Sequence, residues 1–139
     1  MDILLGMSVL LLVSISCMHV YWAFGGKWGG SVVIPTDESQ QPTFVPGTLA
    51  TLLVAFLLLG AALLLMARAG SFLSISSHPI VKWGCWICMA VFGLRSVGDG
   101  RYVGLFKRMK HTRFSAYDTY LFTPICLWLC FSFLYAISR

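Results

Sequence analysis

Two features put ionisable side chains into an otherwise oily chain: His19, inside an apolar run, and the glycine-broken cluster Arg95-Ser-Val-Gly98-Asp99-Gly100-Arg101-Tyr102. Histidine exchanges protons near neutral pH, so His19 suits a proton carrier or a ligand contact. The plainer reading is a neutral imidazole bonded to a neighbouring helix. No metal site is indicated, because no second His or carboxylate stands at ligand spacing beside it. Arg95 could hold an anionic head group, with Asp99, four residues on, orienting it or acting as a base. The plainer alternative is an arginine favoured by a helix C-terminal dipole and snorkelling to the boundary. Asp118 reads as the acidic member of a capping box, Ser115-Ala-Tyr-Asp118, that opens a helix. Its alternative is a counter-ion for Arg95 or Arg101.

The elements that must position these groups are membrane spans. Charged residues make up only 11% of 139 residues, and mean hydropathy is +0.83. A spanning helix needs about 20 mostly apolar residues. Four stretches qualify, over residues 3–24, 47–69, 79–97 and 117–137. The third is the shortest and spans if Lys82 and Arg95 snorkel from its two ends. The expected fold is all-α, an integral membrane four-helix bundle forming a single transmembrane domain over residues 1–139. The first stretch is expected to be retained, because a signal peptide would need a basic segment before its apolar run. Pro46 and Pro79 suit first helical turns, and Gly70 suits a helix stop.

The formal charge of +5 does not point to nucleic acid, because its excess gathers in one loop containing Arg101, Lys107, Arg108, Lys110 and Arg113. The positive-inside rule places that loop in the cytoplasm. The Gly- and Pro-rich loop Gly25–Val45 then shares its side, while the N- and C-termini and the short loop Gly70–Ser77 lie outside. Tyr102, Leu105, Phe106 and Met109 recur at helical spacing. A short amphipathic helix is therefore expected within a basic interfacial segment at 101–113, with Lys107, Arg108, Lys110 and Arg113 facing anionic phospholipid.

Chain direction brings the end of the first span, the start of the second, the end of the third and the start of the fourth to one face. The candidate ligand-binding set at that face is His19, Trp22, Arg95, Asp99, Arg101, Tyr102 and Asp118. Cys85-Trp-Ile-Cys88 and the Cys126/Cys130 pair fall in the outer halves of their spans. The first resembles the C-x-x-C of four-helix membrane thiol oxidoreductases, but the loops contain no Cys to act as a shuttle pair. Cysteine is also an ordinary small apolar residue in packed helices. No cofactor is expected.

The segments His19-Val-Tyr-Trp-Ala-Phe-Gly-Gly, Pro35-Thr36, Phe92-Gly-Leu-Arg-Ser-Val-Gly-Asp-Gly-Arg-Tyr-Val-Gly-Leu-Phe-Lys-Arg and Thr112-Arg-Phe-Ser-Ala-Tyr-Asp-Thr resemble a family of small bacterial four-span proteins catalogued as a domain of unknown function. The resemblance covers nearly the whole chain. It implies a bacterial inner-membrane protein and supplies no activity. Three functions are expected to compete. The first binds or translocates an anionic lipid or small polar ligand at the cytoplasmic face. The second is a membrane-embedded enzyme in which His19 and Asp99 move protons. The third is a structural accessory subunit. Four helices enclose too little space for a pore, so transport would require a homo-oligomer.

Overall fold

The computed structural model describes residues 2–70 and 78–138. The outer connection expected at 70–77 lies, except for Gly70, outside the described residues, as does Arg139. Along the chain run α1 (Ile3–Ala23), a single-turn α2 (Gly30–Val33), α3 (Thr48–Arg68), α4 (Pro79–Val97) and α5 (Arg113–Ser138). The four long helices match the four expected stretches, and each is long and apolar enough to cross a membrane. The chain is thus an all-α integral membrane four-helix bundle.

Local chemistry sets the helix boundaries. Pro79 opens α4, and His78 caps it by accepting a bond from the Ile80 amide at 3.3 Å. At α5 the cap is Thr112, whose hydroxyl accepts from the Ser115 amide at 3.1 Å. The helix therefore begins before the expected capping box. Ser115 lies inside it, and Asp118 opens a π-helical turn, Asp118–Phe122. Thr112 wins because it is the last extended residue before the helix, the geometry an N-cap needs.

α1 packs chiefly against α3, α4 packs against α5, and α3 meets α4 between these pairs. The bundle turns many large apolar side chains outward: Leu10, Phe56, Trp83 and Phe131 are 69%, 68%, 68% and 66% exposed. Inside, Leu5, Leu12, Leu65, Leu129 and Phe133 lie among small and hydroxyl-bearing residues such as Ser8, Ser16, Ala61, Ala62 and Ser132. This is the arrangement expected where the solvent is hydrocarbon, since helices there associate by close packing and interhelical hydrogen bonds. Ser16 donates to the Ala55 carbonyl across the α1–α3 contact at 2.8 Å. The Ser8 and Ser132 hydroxyls meet at 2.8 Å, and the Trp128 indole donates to Ser8 at 2.9 Å. At Gly84 a Cβ would come within 2.8 Å of Leu64, so glycine lets α3 and α4 approach.

The expected amphipathic helix over Tyr102–His111 does not form; the segment between α4 and α5 is a chain of turns and bends. Gly98 and Gly104 take positive φ of +86° and +87°, in the left-handed region that side-chain-bearing residues avoid. They also touch: a Cβ at Gly104 would lie 2.5 Å from the Val97 carbonyl oxygen, and one at Gly98 would strike the Val103 carbonyl. Asp99 captures the next amides, and the Arg101 carbonyl accepts from the Arg108 and Met109 amides at 3.2 and 2.9 Å. Side-chain capture of backbone amides competes with helix formation, and here it prevails over the apolar spacing.

Candidate polar site at one end of the bundle

α4 ends at Gly98, and the chain turns back on itself immediately. The Asp99 Oδ1 atom accepts bonds from the amides of Arg101, Tyr102 and Val103 at 2.9, 2.8 and 3.0 Å. Partial desolvation works against ionisation of Asp99, but these amide bonds outweigh it and hold the carboxyl below the usual aspartate range. The Leu105 amide then bonds to the Ser96 carbonyl at 2.9 Å, fastening the loop to the last turn of α4.

Asp118 is the centre of the site. It is fully buried and meets three groups from three places in the chain. Its Oδ1 accepts from Arg95 Nη2 on α4 at 2.8 Å. Its Oδ2 accepts from Lys107 Nζ and from the Gly104 amide, each at 2.8 Å. Lys107 also donates to the Ser115 carbonyl at 2.8 Å. The π-helical turn that begins at Asp118 alters the backbone at this point, as such turns often do at functional positions. Two cations converge on one carboxylate. The cluster keeps a net positive charge, and Arg95, whose side chain is 32% exposed, carries it toward the surface. The Arg95 Nη1 atom is buried and has no hydrogen-bond partner among the described residues.

These contacts correct several expectations. Asp118 is not a capping residue; it is the buried counter-ion of Arg95, the alternative considered from sequence, and also of Lys107. Lys107 does not face lipid: it is 5% exposed, because Asp118 and Ser115 draw it inward. Arg95 pairs with Asp118 and not with Asp99, whose Oδ1 serves the loop amides. Arg101 is exposed and stacks over the Tyr102 ring at 5.1 Å. Arg108, Lys110 and Arg113 are exposed.

His19 and Trp22 belong to a different cluster. His19 Nδ1 lies 2.8 Å from the Ile15 carbonyl of its own helix, and its ring meets Trp22 edge-on at 5.2 Å. Trp22 donates to the Trp28 carbonyl at 2.8 Å, and the Trp28 amide reaches the Tyr21 hydroxyl at 3.4 Å. This aromatic knot folds the chain back after α1. Among the described residues, no hydrogen bond or ion pair joins His19 to Arg95, Asp99, Arg101 or Asp118. The acid–base pair of His19 and Asp99 is therefore not assembled. Cys85 is buried in the core, Cys88, Cys126 and Cys130 are partly buried, and all are free thiols.

Sequence reasoning missed Gly104, Lys107 as an interior residue, and the Thr112 cap. It gave no role to Thr36, quoted only within the family resemblance, which lies in the hairpin that follows α2. There Thr36 and Pro42 form an antiparallel bridge, and the Thr43 amide donates to the Pro35 carbonyl at 2.9 Å. The available signal was Asp118 itself. An acid just inside an apolar helix must find cations, and the nearest basic loop was the place to seek them.

No curated protein and no solved structure matches the chain. A family model does match, over residues 12–133, which takes in both clusters, the whole of α3 and α4, and parts of α1 and α5. The chain belongs to the family described as protein of unknown function (DUF3995).

Proposed function

We propose that the protein binds anionic phospholipid through this polar end, seated in a bacterial inner membrane with that end in the cytoplasm and the N- and C-termini outside. The observation that carries the reading is the distribution of partners over residues 98–118. Both acids there are consumed internally: Asp118 by Arg95 and Lys107, and Asp99 by loop amides. Arg101, Arg108, Lys110 and Arg113 are exposed, and among the described residues none of them makes an ion pair. In the same loop Leu105 and Phe106 are 57% and 72% exposed. Cations interleaved with bare apolar side chains suit the head-group boundary of a leaflet, where each cation near an anionic surface contributes about 1 kcal/mol.

The test is lipid retention. Protein extracted from a membrane of mixed phosphatidylglycerol and phosphatidylcholine should carry phosphatidylglycerol above its bulk fraction, measured by mass spectrometry of the co-purified lipid. The triple variant Arg101→Gln, Arg108→Gln, Lys110→Gln should lose that enrichment. Equal retention by variant and wild type would sink the reading. The orientation has its own check: Ser39→Cys, in the α1–α3 connection, should resist an impermeant thiol reagent added from outside. Labelling from outside would reverse it.

A further inference from the structure

A second polar feature at the same end shares only Arg113 with the exposed basic rim. The hairpin after α2 and the chain entering α5 line an open cavity of about 520 Å³. Its polar lining comes from Thr36, Gln40, His111 and Arg113, with Ser31 beside them, and no lining residue is a carboxylate. Thr36 is 7% exposed, and among the described residues its hydroxyl has no hydrogen-bond partner. Its position is fixed by the Thr36–Pro42 bridge and by the Asp37 amide donating to the Gln41 carbonyl at 2.9 Å. Natural proteins rarely leave a buried hydroxyl unsatisfied, so such a group on a cavity wall marks a missing partner. The nearest acid in sequence, Asp37, turns its Oδ1 to the amides of Ser39 and Gln41 at 2.9 Å each.

The lining specifies the partner. Thr36 and Gln40 offer donors, His111 offers a ring nitrogen, and Arg113 supplies a full positive charge with a fork of N–H groups. Arg113 is also the first residue of the long helix α5, whose first-turn amides lack intrahelical acceptors and favour negative charge. Donors and a cation without a carboxylate select an oxyanion. The volume falls within the range of small-molecule sites, roughly 300–1,000 Å³, and exceeds what a bare tetrahedral anion fills. We propose that this cavity binds the phosphoryl group of a phosphorylated molecule, with Arg113 as counter-charge and Thr36 Oγ1 as the deep hydrogen-bonding group. The rest of the molecule occupies the remaining space. That molecule is either a soluble phosphate ester or a lipid whose head group ends in phosphate, and the experiment separates them.

The full chain is placed in phosphatidylcholine nanodiscs and titrated with inorganic phosphate and with glycerol 3-phosphate, followed by phosphorus NMR. A parallel arm measures retention of phosphatidic acid against phosphatidylcholine. Saturable binding of glycerol 3-phosphate identifies a soluble ester, and selective retention of phosphatidic acid alone identifies a head group. In the arm that binds, Thr36→Val and Arg113→Gln should each weaken affinity tenfold or more, and Thr36→Ser should restore it. Thr36→Val should melt no lower than wild type, because that hydroxyl has no bond to lose. Arg101→Gln with Lys110→Gln should leave this binding unchanged, which separates it from the rim reading. No saturable binding in either arm, or wild-type affinity in both Thr36→Val and Arg113→Gln, overturns the proposal.

Discussion

Asp118 and Thr36 are both buried polar residues at one end of the bundle, 0% and 7% exposed, yet their surroundings are opposites. The Asp118 carboxylate is claimed by a guanidinium, an ammonium and an amide, while the Thr36 hydroxyl is claimed by nothing. In the first case the chain supplies the polar partners, and they fix its shape: Gly104 and Lys107 tie the α4–α5 connection to α5, and Leu105 ties it to α4. In the second case the shape is fixed by backbone pairing, and the polar group is left over. The difference separates a group that builds the structure from one that the structure leaves unpaired among the described residues. It also reassigns most of the charged cluster after α4 from ligand chemistry to architecture.

The contrast can be broken most forcefully at Asp118. Asp118→Ala would leave Arg95 and Lys107 facing each other without their carboxylate, and stranding a buried charge costs about 3–5 kcal/mol. Lys107→Met should cost clearly less, since the Arg95–Asp118 pair survives. Thermal unfolding in detergent or nanodiscs, with Asp118→Asn as a milder variant, would show the order. If Lys107→Met proves as damaging as Asp118→Ala, the carboxylate is not the hub. Thr112→Ala tests the start of α5 on a smaller scale. Loss of a threonine cap costs about 1 kcal/mol, and local amide exchange at Ser115 should rise while the rest of the helix stays protected.

Asp99 gives the smallest and most local effect. Its folded-state carboxyl titrates below the ordinary aspartate value, which is about 3.9. Its contribution to the turn is therefore fully present above that pH and is lost as pH falls through the lower folded value. Protection of the Arg101, Tyr102 and Val103 amides, corrected for intrinsic exchange, should hold through neutral and mildly acid pH and fall only below the ordinary aspartate range. Loss of protection already near neutrality would remove Asp99 from this role.

The four spans were legible because hydrocarbon imposes length and composition on every helix that crosses it. Pro79 and the apolar run 49–67 announce their elements without reference to anything distant. The carboxylate partner of Arg95, Asp118, was legible only as an alternative, since Ser115-Ala-Tyr-Asp118 satisfies the capping pattern locally and no local rule reveals that Thr112 caps first. Lys107 was not legible at all. Its neighbours Leu105, Phe106 and Arg108 make it look like one more surface cation, and its burial depends on a loop returning to a carboxylate 11 residues later. His19 failed in the opposite direction: its ring lies 2.8 Å from the Ile15 carbonyl of its own helix, a partner any helical histidine has within reach.

The π-helical turn at Asp118–Phe122 makes α5 sensitive to chain length as well as to residue identity. Such a turn behaves as one extra residue threaded into an α-helix, and each residue advances an α-helix by about 100°. Deleting a single residue between 119 and 122 would let the helix close up as regular α. Everything on one side of the deletion would rotate by that angle against the other. With Phe133 and Ser132 keeping their places in the core, Asp118 would swing away from Lys107 and Arg95 although neither cation had been altered. The charge cluster is therefore encoded partly in the count of residues between the entry of α5 and its core, so that an in-frame deletion there should mimic removal of the carboxylate itself.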